Sequence, residues 1–413
     1  MRVLFISRYF PDDPRTKVHG VYKRMGTFIE ALKGMAELDM LFYTPPGTAY
    51  TPAETLELER TLGEHWQADI KLFLTPMTEY KQGTTLEKAV SFGKGIFSIF
   101  NQYGYSEVSG RKQVRAVEEC LERKPDAVFA HRLPSMCPLM LTRAKLPPVF
   151  FDFDDIEHVV LSRAVEQGKS LKGKLMYLLI PAMMRGEQRA ISMAAETYVC
   201  SGKDREYIER EFRQQRVFII PNSVDMPDIH PHANAPNLLF LGSDYGANID
   251  AAEYMAGKIW PTIYSKVPDA KLIIAGISPV RLKNRGAYLP GIEIPGFVKD
   301  LDSLYQTSRV VVTPLLVGGG TRYKIIEAAA YAKPVVSTSM GAEGLDFAPG
   351  KEILIRDDPA SFAETCIELL ADPSLCKKIG TAARAKAARL YDRNAVVGLI
   401  RERIAGNLKS TSS

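Results

Sequence analysis

The chain has 413 residues, 46% hydrophobic and 24% charged, with 53 Lys and Arg against 48 Asp and Glu for a net charge of +5. This composition excludes a disordered or fibrous protein and leaves length for two domains with cores of their own. The basic excess suits an anionic substrate or an anionic membrane surface and is too slight to argue for nucleic acid.

The five cysteines, Cys120, Cys137, Cys200, Cys366 and Cys376, are scattered, odd in number and without a C-x-x-C pair. They read as buried thiols in a reducing cytoplasm. The opening residues 2–7 pass straight into a strand pattern whose apolar run is too short for a signal peptide. The longest apolar run, residues 175–184, is about half of a membrane span and contains Pro181.

Strand-like runs at 2–7, 39–44, 70–75, 127–131, 149–155, 197–201 and 217–221 alternate with helical stretches, and a second series follows at 237–242, 271–276, 292–296, 309–315, 334–339 and 352–356. Alternation of this kind is the signature of parallel α/β sheets. A polar, proline-broken stretch between the two series predicts a hinge over 223–236. The expected architecture is therefore two doubly wound, Rossmann-like domains, 1–222 and 237–384, facing each other across a cleft.

In the first domain the loop after strand 2–7 leads to His19 and Gly20 at the start of a helix, a position over the ligand crevice of a parallel sheet. Residues 76–110 carry Lys81, Lys88 and Lys94 among Phe92, Ile96, Ile99 and Phe100, which fit one helix face weakened by Gly93 and Gly95. That face is either core or an acceptor-side surface for lipid. His131 ends a buried strand and is expected at the crevice edge. Asp152 and Asp154 form an Asp-x-Asp, yet no His or Glu cluster completes a metal shell. No metal is expected, and these carboxylates read as ligands for acceptor hydroxyls or as a cap for the next helix. Residues 162–190 join Arg163, Lys169, Lys172, Lys174, Arg185 and Arg189 to an apolar series around Leu171, Leu175 and Leu178. This amphipathic stretch packs on the sheet or lies on an anionic bilayer.

In the second domain, Gly242 and Ser243 close a strand in a small-residue turn, a weak phosphate signal alone. The stronger one is Gly318-Gly319-Gly320-Thr321-Arg322-Tyr323-Lys324-Ile325-Ile326-Glu327, set between two strand patterns. Strand, glycine loop and helix aim unpaired amides and a positive dipole end at an anion. Thr321 is the expected N-cap, and Arg322 and Lys324 add positive charge for a diphosphate. At helical spacing Thr321, Lys324 and Glu327 share one face, with Arg322 on another. Glu327 then suits sugar hydroxyls, against the plainer reading of a Lys–Glu surface pair.

This stretch resembles the GT-B glycosyltransferases, in particular the large retaining family with an E-x7-E motif and its branch with a Gly-Gly-Gly-Thr-Arg-x-Lys loop. Glu327 matches the second Glu, which the resemblance assigns to the donor ribose, while Gly319 stands at the first. The resemblance assigns Val298 in Gly296-Phe297-Val298-Lys299-Asp300 to the nucleobase loop and Gly20 to a phosphate-facing loop. It sets His131 near the reacting sugar, and Ser243 and Asn248 where an Arg and a Lys are usual. It also implies a hinge at Pro221-Asn222-Ser223-Val224-Asp225 and a C-terminal helix, here 385–407, crossing back onto the first domain.

The implied activity is a metal-independent, cofactor-free transfer of sugar from a nucleotide-sugar donor to a glycan or lipid-linked acceptor. Its setting would be polysaccharide or glycoconjugate biosynthesis in the cytoplasm, with the inner face of the membrane a candidate partner. Catalysis falls to His131, Arg322 and Lys324. Gly242, Ser243, Val298, Gly318, Gly319, Gly320, Thr321 and Glu327 bind the donor, and His19, Gly20 and Asp154 the acceptor. A GT-B nucleotide-sugar epimerase and an inactive nucleotide-binding scaffold are the alternatives.

Overall fold

The computed structural model describes all residues except 15–18, 80–83, 168–170, 229–234, 284–289 and 412–413. Lys81, Lys169, the side chains of Leu171 and Lys172, and the middle of the expected hinge thus lie outside the described residues. The chain forms two compact units, residues 1–221 with 397–413, and residues 222–396.

The first unit is built on a parallel sheet of β1 (Arg2–Ser7), β2 (Glu37–Thr44), β3 (Ile70–Pro76), β4 (Ala127–His131), β5 (Val149–Asp154), β6 (Glu196–Val199) and β7 (Val217–Ile219), in the order β3-β2-β1-β4-β5-β6-β7. The second unit holds β8 (Asn237–Leu241), β9 (Lys271–Ala275), β10 (Ile292–Gly296), β11 (Val310–Thr313), β12 (Val335–Ser337) and β13 (Leu354–Ile355), in the order β10-β9-β8-β11-β12-β13. Strands such as Ala127–His131 and Val310–Thr313 are buried at every position because helices cover both sheet faces. Each sheet reverses its strand order beside its first strand, at β1/β4 and at β8/β11. Adjacent loops leave in opposite directions there, which opens a crevice at the carboxyl ends of the strands.

Two sequence expectations need correction. The hinge over 223–236 does not begin where expected, because residues 222–227 are fixed to the second unit. Val224 N donates to Tyr391 O at 2.9 Å, Arg393 N donates to Val224 O at 3.0 Å, and Arg393 pairs with Asp225 at 2.7 Å. The same contact breaks the single helix expected at 385–407 into Pro373–Leu390 and Arg393–Thr411. Tyr391 and Asp392 leave helical geometry to meet Val224, and Asp392 Oδ1 restarts the helix by accepting from Ala395 N at 3.0 Å. From Val397 onward the last helix belongs to the first unit. There Arg401 donates to the carbonyls of Glu30 and Ala31, and Arg403 pairs with Glu196 at 2.9 Å.

Candidate active site

At the β8/β11 switch point the chain leaves β11 through the glycine loop. Gly318 has φ 140° and Gly320 has φ 63°, conformations that side chains rarely tolerate. A Cβ on Gly318 would collide with the Arg322 guanidinium, which folds back and donates to Gly319 O. The helix that follows spans Tyr323–Ala330, and its N-cap residue is Arg322 in extended geometry, not Thr321. The Thr321 hydroxyl is taken instead by Asn222, whose Nδ2 donates to Oγ1 at 2.8 Å. Arg322 therefore stands outside the helix, and the helical face expected to carry Thr321 begins only at Lys324.

Lys324 reaches across to the first turn of the helix Gly246–Tyr254, which follows β8. Its Nζ donates to Asn248 Oδ1 at 2.9 Å and lies 4.9 Å from the centroid of the Phe240 ring. Asn248 Nδ2 in turn donates to Ser243 O and Oγ at 3.2 and 3.3 Å. Burial, and then the neighbouring Arg322, push the Lys324 ammonium down to about 7. Among the described residues Lys324 forms no ion pair with a carboxylate. One turn along the helix, Glu327 Oε2 accepts from the Tyr305 hydroxyl at 3.2 Å, and Tyr305 stacks on Tyr331 with ring centroids 4.4 Å apart.

Backbone rather than side chains forms the rest of this edge. Gly242 N donates to Ala275 O at 3.0 Å, and Gly276 N donates to Gly296 O at 2.7 Å. Gly276 has φ 86°, and a Cβ there would strike Gly242 O. Val298 follows this layer half-buried on the core, and Asp300 caps the helix Leu301–Thr307 by accepting from Ser303 N at 3.1 Å. A ligand can approach the ends of β8, β9 and β10 closely.

At the β1/β4 switch point of the first unit, His131 is 0% exposed. The expected crevice-edge position is thus corrected to a buried one, beneath the edge of Tyr9 at 5.9 Å and against Phe5. Ser7 Oγ accepts from Tyr9 N at 3.0 Å and lies 2.9 Å from His131 Nδ1. His131 Nε2 faces Asp152 Oδ2 at 3.8 Å. Burial, then Arg132, drive the imidazole down to about 3, so it is neutral.

Asp152 and Asp154 both face guanidinium groups, although the pairing of β5 with β6 shifts register between them and Asp154 has φ 49°. Buried Arg24 pairs with Asp152 at 2.6 Å and reaches Asp154 at 3.5 Å, while Arg132 lies 3.4 Å from Asp154 and 2.6 Å from Asp155. Asp154 also accepts from Cys200 Sγ at 3.0 Å, so its carboxylate is engaged within the unit and not presented bare to an acceptor. His19 is exposed at the N-cap position of the helix Gly20–Lys33, without a side-chain cap.

Sequence reasoning did not find Arg24, Tyr305, Asn222 or Glu157. Glu157 opens a helix beside the Asp-x-Asp strand, accepts from the Tyr105 hydroxyl, and is pushed up to about 7 by burial. The only early signal was its place just after the strand end.

Two doubly wound parallel-sheet units, the second with a glycine loop feeding a helix at its switch point, define the GT-B fold. Residues 235–372, within the second unit, match the family model described as Glycosyl transferases group 1. A point mutant of S. aureus TarM, in complex with Fondaparinux, alpha-GlcNAc-glycerol and UDP, has a TM-score of 0.68 at 12% identity, over 98% of this chain and 99% of that one. Sucrose-phosphate synthase from Thermosynechococcus elongatus gives 0.68 at 16% identity, also over 98% and 99%. An uncharacterized 44.6 kDa protein in the cps region of Klebsiella pneumoniae is 28% identical over 173 residues, 40% of this chain and 45% of that protein. The matched segment is less than half of that relative's length.

Proposed function

We propose that the protein is a metal-independent glycosyltransferase that moves a sugar, with retention, from a nucleotide-sugar donor to a glycan or lipid-linked acceptor. The observation that carries this reading is Lys324. A half-buried lysine with an amide partner and no carboxylate ion pair among the described residues sits beside a glycine loop and Arg322. Glu327 one turn along acts on it without forming an ion pair, and a diphosphate would supply a direct counter-charge.

In this reading the backbone edge formed by Gly242, Gly276 and Gly296 takes the nucleoside, with Val298 at the base, and Glu327 accepts from ribose hydroxyls. Gly318, Gly319, Gly320 and Thr321 let the diphosphate approach, Ser243 and Asn248 border it, and Arg322 and Lys324 face its growing charge as the glycosidic bond breaks. The amides of Tyr323 and Lys324 open the helix and add its dipole end. Groups fixed where charge develops lower the barrier without reorganisation. Retention by front-face departure within an ion pair needs no covalent nucleophile. His19 and Gly20 remain proposed acceptor contacts, and buried His131 is proposed to act only as a neutral group. UDP in the TarM complex supports a nucleotide donor, and the Klebsiella relative's cps region favours polysaccharide biosynthesis as the setting.

Thermal stabilisation of the purified chain by a panel of nucleoside diphosphates, followed by transfer of labelled sugar to glycan and lipid extracts, tests the reading. Stabilisation by at least one diphosphate with acceptor-dependent transfer is expected. Stabilisation by none defeats it, and conversion of the nucleotide sugar without acceptor identifies an epimerase instead.

A further inference from the structure

The helix Thr85–Phe97 has two faces of opposite kind. Its inner face is fixed at Gly95, which is buried against Leu179, and Gln102 Nε2 donates to the carbonyls of Gly95 and Leu179, each at 3.0 Å. On the outer face Leu86, Val90, Gly93 and Phe97 follow one another at helical spacing, within roughly 60° around an ideal helix. Leu86 is 74% exposed, Val90 50% and Phe97 80%. The turn Met176–Leu179, against which this helix packs, adds exposed Tyr177 and Leu178, with Leu175 just before it. Helices in water turn such a stripe inward, and an outward one marks an interaction surface.

The surrounding charge selects the partner. Lys88 and Lys94 are exposed on this helix and Lys174 just before Leu175, while Glu87 is held in a capping box with Thr84. A cavity of about 520 Å³ beside the stripe is lined by Leu86, Val90, Lys88 and Lys94, and also by Glu79, by Glu87 of the capping box and by Glu107, which pairs with Arg8. The match to an anionic head group joined to an acyl chain lies in exposed Lys88, Lys94 and Lys174 flanking the apolar stripe, not in the recess. Among the described residues no helix is long and apolar enough to cross a membrane, so the surface would lie on a bilayer rather than through it.

We propose that the outer stripe of Thr85–Phe97, with the turn at 175–178, docks the first unit on an anionic phospholipid bilayer. Leu86, Val90 and Phe97 enter the acyl boundary, and Lys88, Lys94 and Lys174 meet head-group phosphates. The inference rests on the reading above insofar as it gives a lipid-linked acceptor a surface on which to be met.

Co-sedimentation of the full chain with vesicles of about 3:1 phosphatidylcholine to phosphatidylglycerol, against phosphatidylcholine alone, tests it. Binding to the anionic vesicles alone is expected, weakening with salt. The Leu86→Ser/Val90→Ser/Phe97→Ser variant should lose about tenfold or more in bound fraction, and Lys88→Glu/Lys94→Glu/Lys174→Glu at least as much. The five native cysteines are buried, so Phe97→Cys takes an environment-sensitive fluorophore at the stripe, whose emission should shift to the blue on anionic vesicles. Nucleoside-diphosphate stabilisation must persist in the variants as evidence of folding. Wild-type protein left in the supernatant, or serine variants that bind undiminished, overturns the proposal. A wild-type dimer that the serine variant converts to monomer overturns it too, by assigning the stripe to a second copy. Vesicle binding by a wild-type chain that no diphosphate stabilises would defeat the glycosyltransferase reading and leave the docking surface standing.

Discussion

Lys324 Nζ meets Asn248 Oδ1 at 2.9 Å, joining the helix after β11 to the first turn of the helix after β8 across the switch point of the second sheet. Ser243 in the loop and Asn248 in the helix after it stand where the resemblance leads one to expect two cations, and the lysine of the neighbouring helix supplies a charge there. Asn248 is thus a tether for the cation, and its own Nδ2 is held by Ser243.

Replacing that lysine should therefore cost more than replacing the arginine beside it. Lys324→Ala is expected to lower kcat on the order of a hundredfold, by analogy with loss of one donor that stabilises developing charge. Arg322→Ala should cost less, because Arg322 is outside the helix and already donates to Gly319 O. Steady-state kinetics with fixed acceptor decide, since transition-state contacts act on kcat rather than on KM. The reverse ranking would move the diphosphate towards Arg322.

The lowered Lys324 ammonium makes donor binding pH-dependent. At about 7 in the ligand-free protein, it is only partly protonated at neutral pH, whereas a bound diphosphate favours the charged form. Affinity for nucleoside diphosphate should then fall as pH rises through and above 7, with proton uptake visible by calorimetry in buffers of different ionisation heat. For stability the sign is opposite. The unfolded amine binds more protons than the folded one between pH 7 and its ordinary value of 10.5, so the ligand-free fold gains stability as pH rises across that window. Lys324→Met should abolish the first slope and reduce the second, which Lys333, lowered by burial to about 8, continues to supply.

The fold was legible because parallel strands buried on both faces read as unbroken apolar runs, as in Val310–Val311–Val312. The glycine loop was legible because Gly318 and Gly320 need positive φ. What escaped depended on residues distant in sequence. The Thr321 hydroxyl is engaged by Asn222, 99 positions away, while Arg322 takes the N-cap position, and Asp152 is engaged by Arg24 across 128. The terminal helix was broken by Val224, whose pairing with Asp392 no local helix propensity registers.

Glu327→Gln should weaken binding of ribonucleotides and leave the fold intact. A 2′-deoxyribose donor should lose little further on the variant, since the carboxylate is proposed to accept from ribose hydroxyls. Tyr305→Phe should give a smaller loss, because it removes only the hydroxyl that holds Glu327. Calorimetric titration of both variants with ribo- and deoxyribonucleoside diphosphates measures this, and equal ribonucleotide binding by wild type and Glu327→Gln removes the ribose assignment.

Turnover should persist in excess chelator. The Asp152 and Asp154 carboxylates that could draw a divalent ion are already faced by Arg24 and Arg132. Loss of activity in chelator with rescue by a divalent cation would return a metal to the mechanism.

The same pairing makes the first unit sensitive to single substitutions. Arg24 is 2% exposed and Asp152 0%; Arg24 Nε and Nη2 both reach the carboxylate, and Nη1 donates to Ile220 O at 2.9 Å. Arg24→Met leaves Asp152 in an apolar setting without its main counter-charge, and Asp152→Leu strands the guanidinium. Each should cost about 3–5 kcal/mol, because removing one partner exposes the full desolvation penalty of the other. The double variant should recover most of that loss, since the pair's attraction is largely offset by its own desolvation. The chain has two tryptophans, Trp66 in the first unit and Trp260 in the second, so urea unfolding in a Trp260→Phe background reports the first unit alone. Additive losses in the double variant would mean that Arg24 stabilises chiefly through Ile220 and Asp154, and that its pairing with Asp152 is not the contact that holds β5 to the first helix.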